Sequence, residues 1–152
     1  ERAPAAQPAR ALGPRGPAEA VLCGLCERVC WRARKRHVKA RTVTLKLRYA
    51  DFHTLTRSQT TTATSSELEL YPIVKEMFAA ARTRSLPIRL LGVQLSNLGM
   101  FEQLPLFERN ERVGAAIDSL RARFGFATVS LATAQRGRPD EARSFHAPSR
   151  RR

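Results

Sequence analysis

The sequence predicts an α+β domain: an antiparallel sheet of three to four strands with two helices on one face, in a split β-α-β arrangement. Three observations predict it. The hydrophobic period changes from that of a helix to that of a strand close to Arg41. A second alternating segment follows after a short turn signal at Asp51. The elements then read helix, strand, strand, helix, strand, which lacks only an opening strand to complete the split motif.

Residues 1–17 carry Pro4, Pro8, Pro14 and Pro17 with Gly13 and Gly16 but no periodic apolar residues, so they read as a disordered segment where the opening strand would stand. Residues 18–37 read as a helix, with Val21, Leu22, Leu25, Cys26 and Val29 at helical spacing. Its basic residues gather at the C-terminal end, where cations suit the helix dipole. In "RTVTLKLRYADF", Val43, Leu45, Leu47 and Tyr49 alternate with Thr42, Thr44, Lys46 and Arg48. This is a strand with one apolar face and one cationic, hydroxyl-bearing face. "FHTLTRSQTT" continues as a second, Thr-rich strand, and the two form a hairpin.

Ser65 and Ser66 are capping candidates for a second helix over residues 67–84. Pro72 suits only a first turn, which moves the regular part of that helix to Tyr71. "PIRLLGVQLSNL" is a third strand, with Leu91, Val93 and Leu95 on one face and Gln94 and Ser96 on the other. "GMFEQLPLF" has no regular period and reads as an exposed extended segment. "ERVGAAIDSLRARFG" is a short amphipathic helix with Val113, Ala116, Ile117 and Leu120 on one stripe and Gly125 as its stop. The organisation is therefore 1–17 disordered, 18–99 folded domain, 100–131 extended peptide and short helix, and 132–152 disordered basic tail.

Twenty-seven Lys and Arg against thirteen Asp and Glu leave a net charge of +14 over 152 residues, which calls for a polyanionic partner, nucleic acid before membrane. No apolar run is long enough for a membrane span and no secretory signal is visible. The chain does not begin with Met, which suggests a fragment. Three cysteines, Cys23, Cys26 and Cys30, stand in one short stretch and suit a reducing compartment. Their spacings of three and four are those of one helix face, and Leu22, Leu25 and Val29 extend that face. We therefore read them as core-facing thiols rather than as an iron–sulfur or zinc site. Trp31 closes the apolar face, and Arg32, Arg34, Lys35 and Arg36 are expected to leave the core there. No paired carboxylates, phosphate loop or dinucleotide loop suggest catalysis.

"ARTVTLKLRYADFHTLTRSQT" resembles the little-finger, or polymerase-associated, domain of Y-family translesion DNA polymerases of the polymerase IV type. "PIRLLGVQLSNL" resembles the last strand of that domain. "EQLPLF" resembles the peptide by which such polymerases bind the sliding clamp, and "ERVGAAIDSLRARFG" the helix that follows it. The resemblance spans about residues 18–131. It implies a DNA-binding fragment without the catalytic palm, so that no cofactor belongs to this chain and Mg2+ would belong to the palm.

By the same resemblance, the open sheet face holds a primer–template backbone without reading sequence. The contacts it implies are Thr42, Thr44, Lys46 and Arg48 on the first strand, and Thr56, Arg57, Ser58, Gln59 and Thr60 on the second. On or beside the last strand they are Arg89, Gln94, Ser96 and Asn97. Two positions of that strand that are cationic in the family read Leu90 and Gln94 here. Gln103, Leu104, Leu106 and Phe107 would bind the clamp (the β subunit). The partners implied are DNA, the clamp and the rest of a polymerase, with no membrane, in a bacterial cytoplasm at the nucleoid. Competing readings are a stand-alone RNA-binding or clamp-adaptor module, and a remnant of a polymerase gene.

Overall fold

Period-two alternation over residues 42–49 and helical spacing on either side of it produce the predicted order. In a computed structural model, which describes residues 15–100 and 108–135, the elements are α1 (Arg15–Lys35), β1 (Lys39–Tyr49), β2 (Thr54–Thr64), α2 (Glu67–Ala81), β3 (Ile88–Gly99), α3 (Glu108–Phe124), a 3-10 turn (Phe126–Thr128) and α4 (Ala132–Gln135). The strands form one antiparallel sheet in the order β2-β1-β3. The architecture is α+β.

β1 is central, and its Val43, Leu45, Leu47 and Tyr49 are all buried. They meet Leu22, Cys26 and Cys30 of α1 and Leu70, Val74 and Phe78 of α2 in one core, which Ile88, Leu91 and Val93 of β3 complete. Each such Leu or Val contributes about 1.5–3 kcal/mol through burial. The Tyr49 hydroxyl sits inside this core, donating to Ala81 O at 3.3 Å and accepting from the Arg84 backbone N–H at 3.4 Å. Cys26 and Cys30 lie in this core, as their spacing predicts, and Cys23 is buried beside Ala134 of α4. Burial, then the charge of Glu27, pushes Cys23 up to about 11, and burial pushes Cys26 and Cys30 higher still. Burial thus favours the protonated form of all three thiols.

Several boundaries differ from the sequence reading, for local reasons. α1 begins at Arg15, so Pro17 falls in its first turn, where a missing N–H is no loss. It ends with Val38 N–H on Ala33 O at 3.1 Å and His37 N–H on Arg34 O at 2.9 Å. His37 takes the left-handed conformation (φ 53°) that this closure requires. β2 starts at Thr54, because Ala50 to His53 form the hairpin turn. α2 is helical from Glu67 and continues through Pro72, which is exposed, and it stops at Ala81. Residues 132–135 are a helical turn rather than part of a disordered tail.

The largest departure concerns Arg34 and α3. Arg34 does not leave the core with its basic neighbours. Its guanidinium donates to Asp118 through Nε at 2.7 Å and Nη2 at 2.9 Å, to Glu67 Oε2 at 2.5 Å, and to Ser65 O at 2.6 Å. Burial opposes its charge, but the bonds to Asp118 and Glu67 outweigh that and raise its pKa. Arg121 is buried beside it, 3.6 Å from Glu27 and 3.7 Å from Glu67, and donates to Val129 O at 2.9 and 3.1 Å. Glu27 in turn accepts the Leu131 backbone N–H.

α3 therefore turns a polar face to the domain. Gly114 and Arg121 are buried and Asp118 half-buried, while Val113, Ala116 and Leu120 of the predicted apolar stripe are exposed and Ile117 is half-buried. Gly114 allows the close approach: a Cβ there would lie 3.5 Å from Arg34 Cδ.

Candidate nucleic-acid interface

The sheet face turned away from the helices is built by the even-numbered residues of β1. Antiparallel register sets them in rows across three strands: Thr60, Thr42 and Ser96; Ser58, Thr44 and Gln94; Thr56, Lys46 and Gly92; and Thr54, Arg48 and Leu90. Directly paired residues share a face, so the rows present hydroxyls, an amide and two cations. No acidic residue stands in any row. Among the described residues neither Lys46 nor Arg48 has an acidic partner. Gly92 opposite Lys46 leaves the centre of the face low, and Lys46 is exposed above it.

Neighbouring side chains are linked across the strands. Thr44 Oγ1 and Ser58 Oγ are 2.8 Å apart, Arg48 Nε donates to Thr54 Oγ1 at 2.7 Å, and Asn97 Nδ2 donates to Thr42 Oγ1 at 2.8 Å. These bonds fix rotamers without consuming the cationic charge. Hydroxyl, amide and guanidinium donors on an acid-free face match the oxygens of a phosphate backbone.

The residues expected at this face divide. Thr42, Thr44, Lys46, Arg48, Thr56, Ser58, Thr60, Gln94 and Ser96 stand on it, and Asn97 joins it through Thr42. Arg57 and Gln59 do not. They pair with Leu45 and Val43, so the strand period turns them to the helix side, where both are exposed on the edge strand. Arg89 sits at a register shift of β3, and its guanidinium lies 4.6 Å from the centre of the Phe52 ring. Thr54 was not among the expected contacts. It faces outward in the Arg48 row, and continuing the β2 alternation back from Thr56 is the signal that finds it. Gln103, Leu104, Leu106 and Phe107 lie outside the described residues.

Two other charged groups mark the hairpin end. Asp51 binds Arg84 at 2.7 Å and accepts the His53 backbone N–H at 3.0 Å. Elsewhere Lys35 lies over Trp31 at 4.2 Å, and Trp31 packs on Phe126 with ring centres 5.2 Å apart. Among the described residues no helix is long and apolar enough to cross a membrane.

The chain resembles known proteins. The model of the impB/mucB/samB family C-terminal domain matches residues 10–106. Relatives named DNA polymerase IV include one from Desulfatibacillum aliphaticivorans, 37% identical over 118 residues, covering 71% of this chain and 30% of that protein. One from Clostridium kluyveri is 32% identical, covering 71% of this chain and 31% of that protein. One from Caulobacter vibrioides is 35% identical, covering 79% and 31% respectively. The chain thus matches less than a third of the length of these relatives.

Proposed function

Because the chain belongs to the impB/mucB/samB C-terminal domain family, a C-terminal domain of Y-family DNA polymerases, we propose that it holds the sugar–phosphate backbone of a primer–template duplex on its open sheet face. The observation that carries this reading is the acid-free set of rows centred on Lys46 and Arg48, flanked by Thr42, Thr44, Thr56, Ser58, Thr60, Gln94 and Ser96. Such donors bind phosphate in any sequence, as a polymerase that moves along its template requires.

The parent family is DNA-directed DNA polymerase. In this reading the chain is the DNA-holding part of translesion synthesis in DNA repair, working in a bacterial cytoplasm beside the nucleoid. Nucleotidyl transfer and Mg2+ belong to a palm, not to these residues. Gln103, Leu104, Leu106 and Phe107, directly after β3, would tether the enzyme to the sliding clamp. Leu104, Leu106 and Phe107 would fill an apolar pocket while Gln103 hydrogen-bonds.

Fluorescence anisotropy on two primer–templates of unrelated sequence tests the sheet face. Equal affinity for the two is expected, with a parallel loss on both when Lys46→Gln and Arg48→Gln are combined. A strong sequence preference, or unchanged affinity in the double variant, would remove the sheet face from the DNA interface. A clamp pull-down that survives Phe107→Ala would remove the tether.

A further inference from the structure

We propose that the β1–β2 hairpin tip carries a stacking site for an unpaired nucleobase, with the Phe52 ring as the platform and the Arg89 guanidinium as its backing cation. The inference rests on the DNA-binding reading of the sheet and adds to it a contact that does not involve the duplex backbone.

Phe52 is 61% exposed, a phenyl ring with no polar tip. It also takes the left-handed conformation, φ 64°, at a turn position where Gly or Asn would be unstrained. The surroundings over-determine that conformation. The Phe52 N–H donates to Tyr49 O at 3.0 Å, the Tyr49 N–H to His53 O at 3.0 Å, and the Ala50 N–H to Pro87 O at 2.9 Å. Asp51 ties the tip to the α2–β3 connection through Arg84 at 2.7 Å. Backbone strain held in place by several bonds is characteristic of positions with a binding role.

The ring has a cation on one side, the Arg89 guanidinium 4.6 Å from its centre. At 61% exposure the ring retains surface open to a ligand. Arg89 has no acidic partner among the described residues. A rigid exposed π face backed by an unpaired guanidinium accepts any base by stacking and a neighbouring phosphate by charge. The tip also adjoins the backbone-binding face: Arg48 donates to Thr54 Oγ1 at 2.7 Å, and Thr54 Oγ1 donates to Phe52 O at 3.4 Å. A duplex held on the rows would therefore lie next to Phe52. The other exposed aromatic ring among the described residues, Phe124, lies on α3, which packs against the helix layer and lacks this neighbourhood.

The test measures anisotropy of the chain on two labelled DNAs of equal duplex length, one blunt and one with a 5′ single-stranded overhang, and reads the ratio of their affinities. The wild-type chain is expected to prefer the overhang. Phe52→Leu keeps apolar bulk without the π face, and Phe52→Asn relieves the turn strain; both should reduce that preference by about 5- to 150-fold, the range of one lost base stack. Phe52→Trp should retain it. Thermal melts by circular dichroism confirm that each variant folds, and Phe52→Asn secures the test if bulkier changes disturb the turn. A wild-type chain that binds both DNAs alike, or Leu and Asn variants that keep the full preference, overturns the stacking site while leaving the sheet-face reading intact. A wild-type chain that binds neither DNA overturns both.

Discussion

Replacing Arg34 with methionine removes a charge but keeps side-chain length, at the point where three helices meet. In the native fold Arg34 gives two hydrogen bonds to Asp118, one of 2.5 Å to Glu67 and one of 2.6 Å to Ser65 O. Glu67, with 3% of its side chain exposed in the native fold, would then keep only Arg121 at 3.7 Å. Asp118 retains 22% exposure and can rehydrate, so its loss is the smaller. Breaking a buried ion pair by removing one partner costs about 3–5 kcal/mol. For a domain of this size that corresponds to about 10–20 °C in Tm.

Urea unfolding followed by far-UV circular dichroism measures the loss. Arg32→Met, one turn position away and exposed, is the control and should stay within about 0.5 kcal/mol of wild type. Adding Glu67→Leu to Arg34→Met should recover part of the loss, because the stranded carboxylate is then gone. A loss below about 1 kcal/mol, or no recovery in the double variant, would refute the view that this buried network fastens α3 to the domain.

Three further outcomes follow from the packing of the fold. Gly114→Ala should be neutral or stabilising by up to about 1 kcal/mol, because its Cβ meets Arg34 at ordinary contact distance, whereas Gly114→Val should destabilise by displacing the fork; paired thermal melts decide. Tyr49→Phe should cost about 0.5–1 kcal/mol in urea unfolding, since both hydroxyl bonds, at 3.3 and 3.4 Å, are long. The Cys23 thiol, raised from 9.0 to about 11, keeps its proton in the fold when the unfolded chain has lost it. Cys26 and Cys30 are raised in the same direction, so stability is full below about pH 9 and falls as the pH rises from there through about 11 and beyond, which a series of urea midpoints would record.

Much of the sheet was legible because a strand imposes a period of two and β1 follows it without a break. Val43, Leu45, Leu47 and Tyr49 could face only one way, and Thr42, Thr44, Lys46 and Arg48 only the other. The same rule decides Arg57 and Gln59. Family resemblance grouped them with Thr56, Ser58 and Thr60, but adjacent strand residues cannot share a face, and the alternation prevails. The cysteines were legible as a helix face because Leu22, Leu25 and Val29 continue their spacing. α3 was not legible. Its visible stripe of Val113, Ile117 and Leu120 suggests an apolar contact, yet Asp118 and Arg121 dock, through partners on α1 and α2. Arg34 and Asp118 are 84 residues apart, and no local period reports a pairing at that distance. The Phe52 turn was hidden for a related reason: its conformation is set by bonds to Tyr49 and by the Asp51–Arg84 pair, not by its own preference.

The central claim is that Lys46 and Arg48 meet phosphates across an otherwise neutral face. It is tested most directly by the salt dependence of duplex binding, in the wild-type chain and in Lys46→Gln/Arg48→Gln. If about five phosphates are neutralised, log K against log salt should have a slope of about −4 to −5. The double variant should flatten that slope by about 2, one unit per cation. A wild-type chain without salt dependence, or a variant with the same slope, would contradict the assignment of DNA to this face.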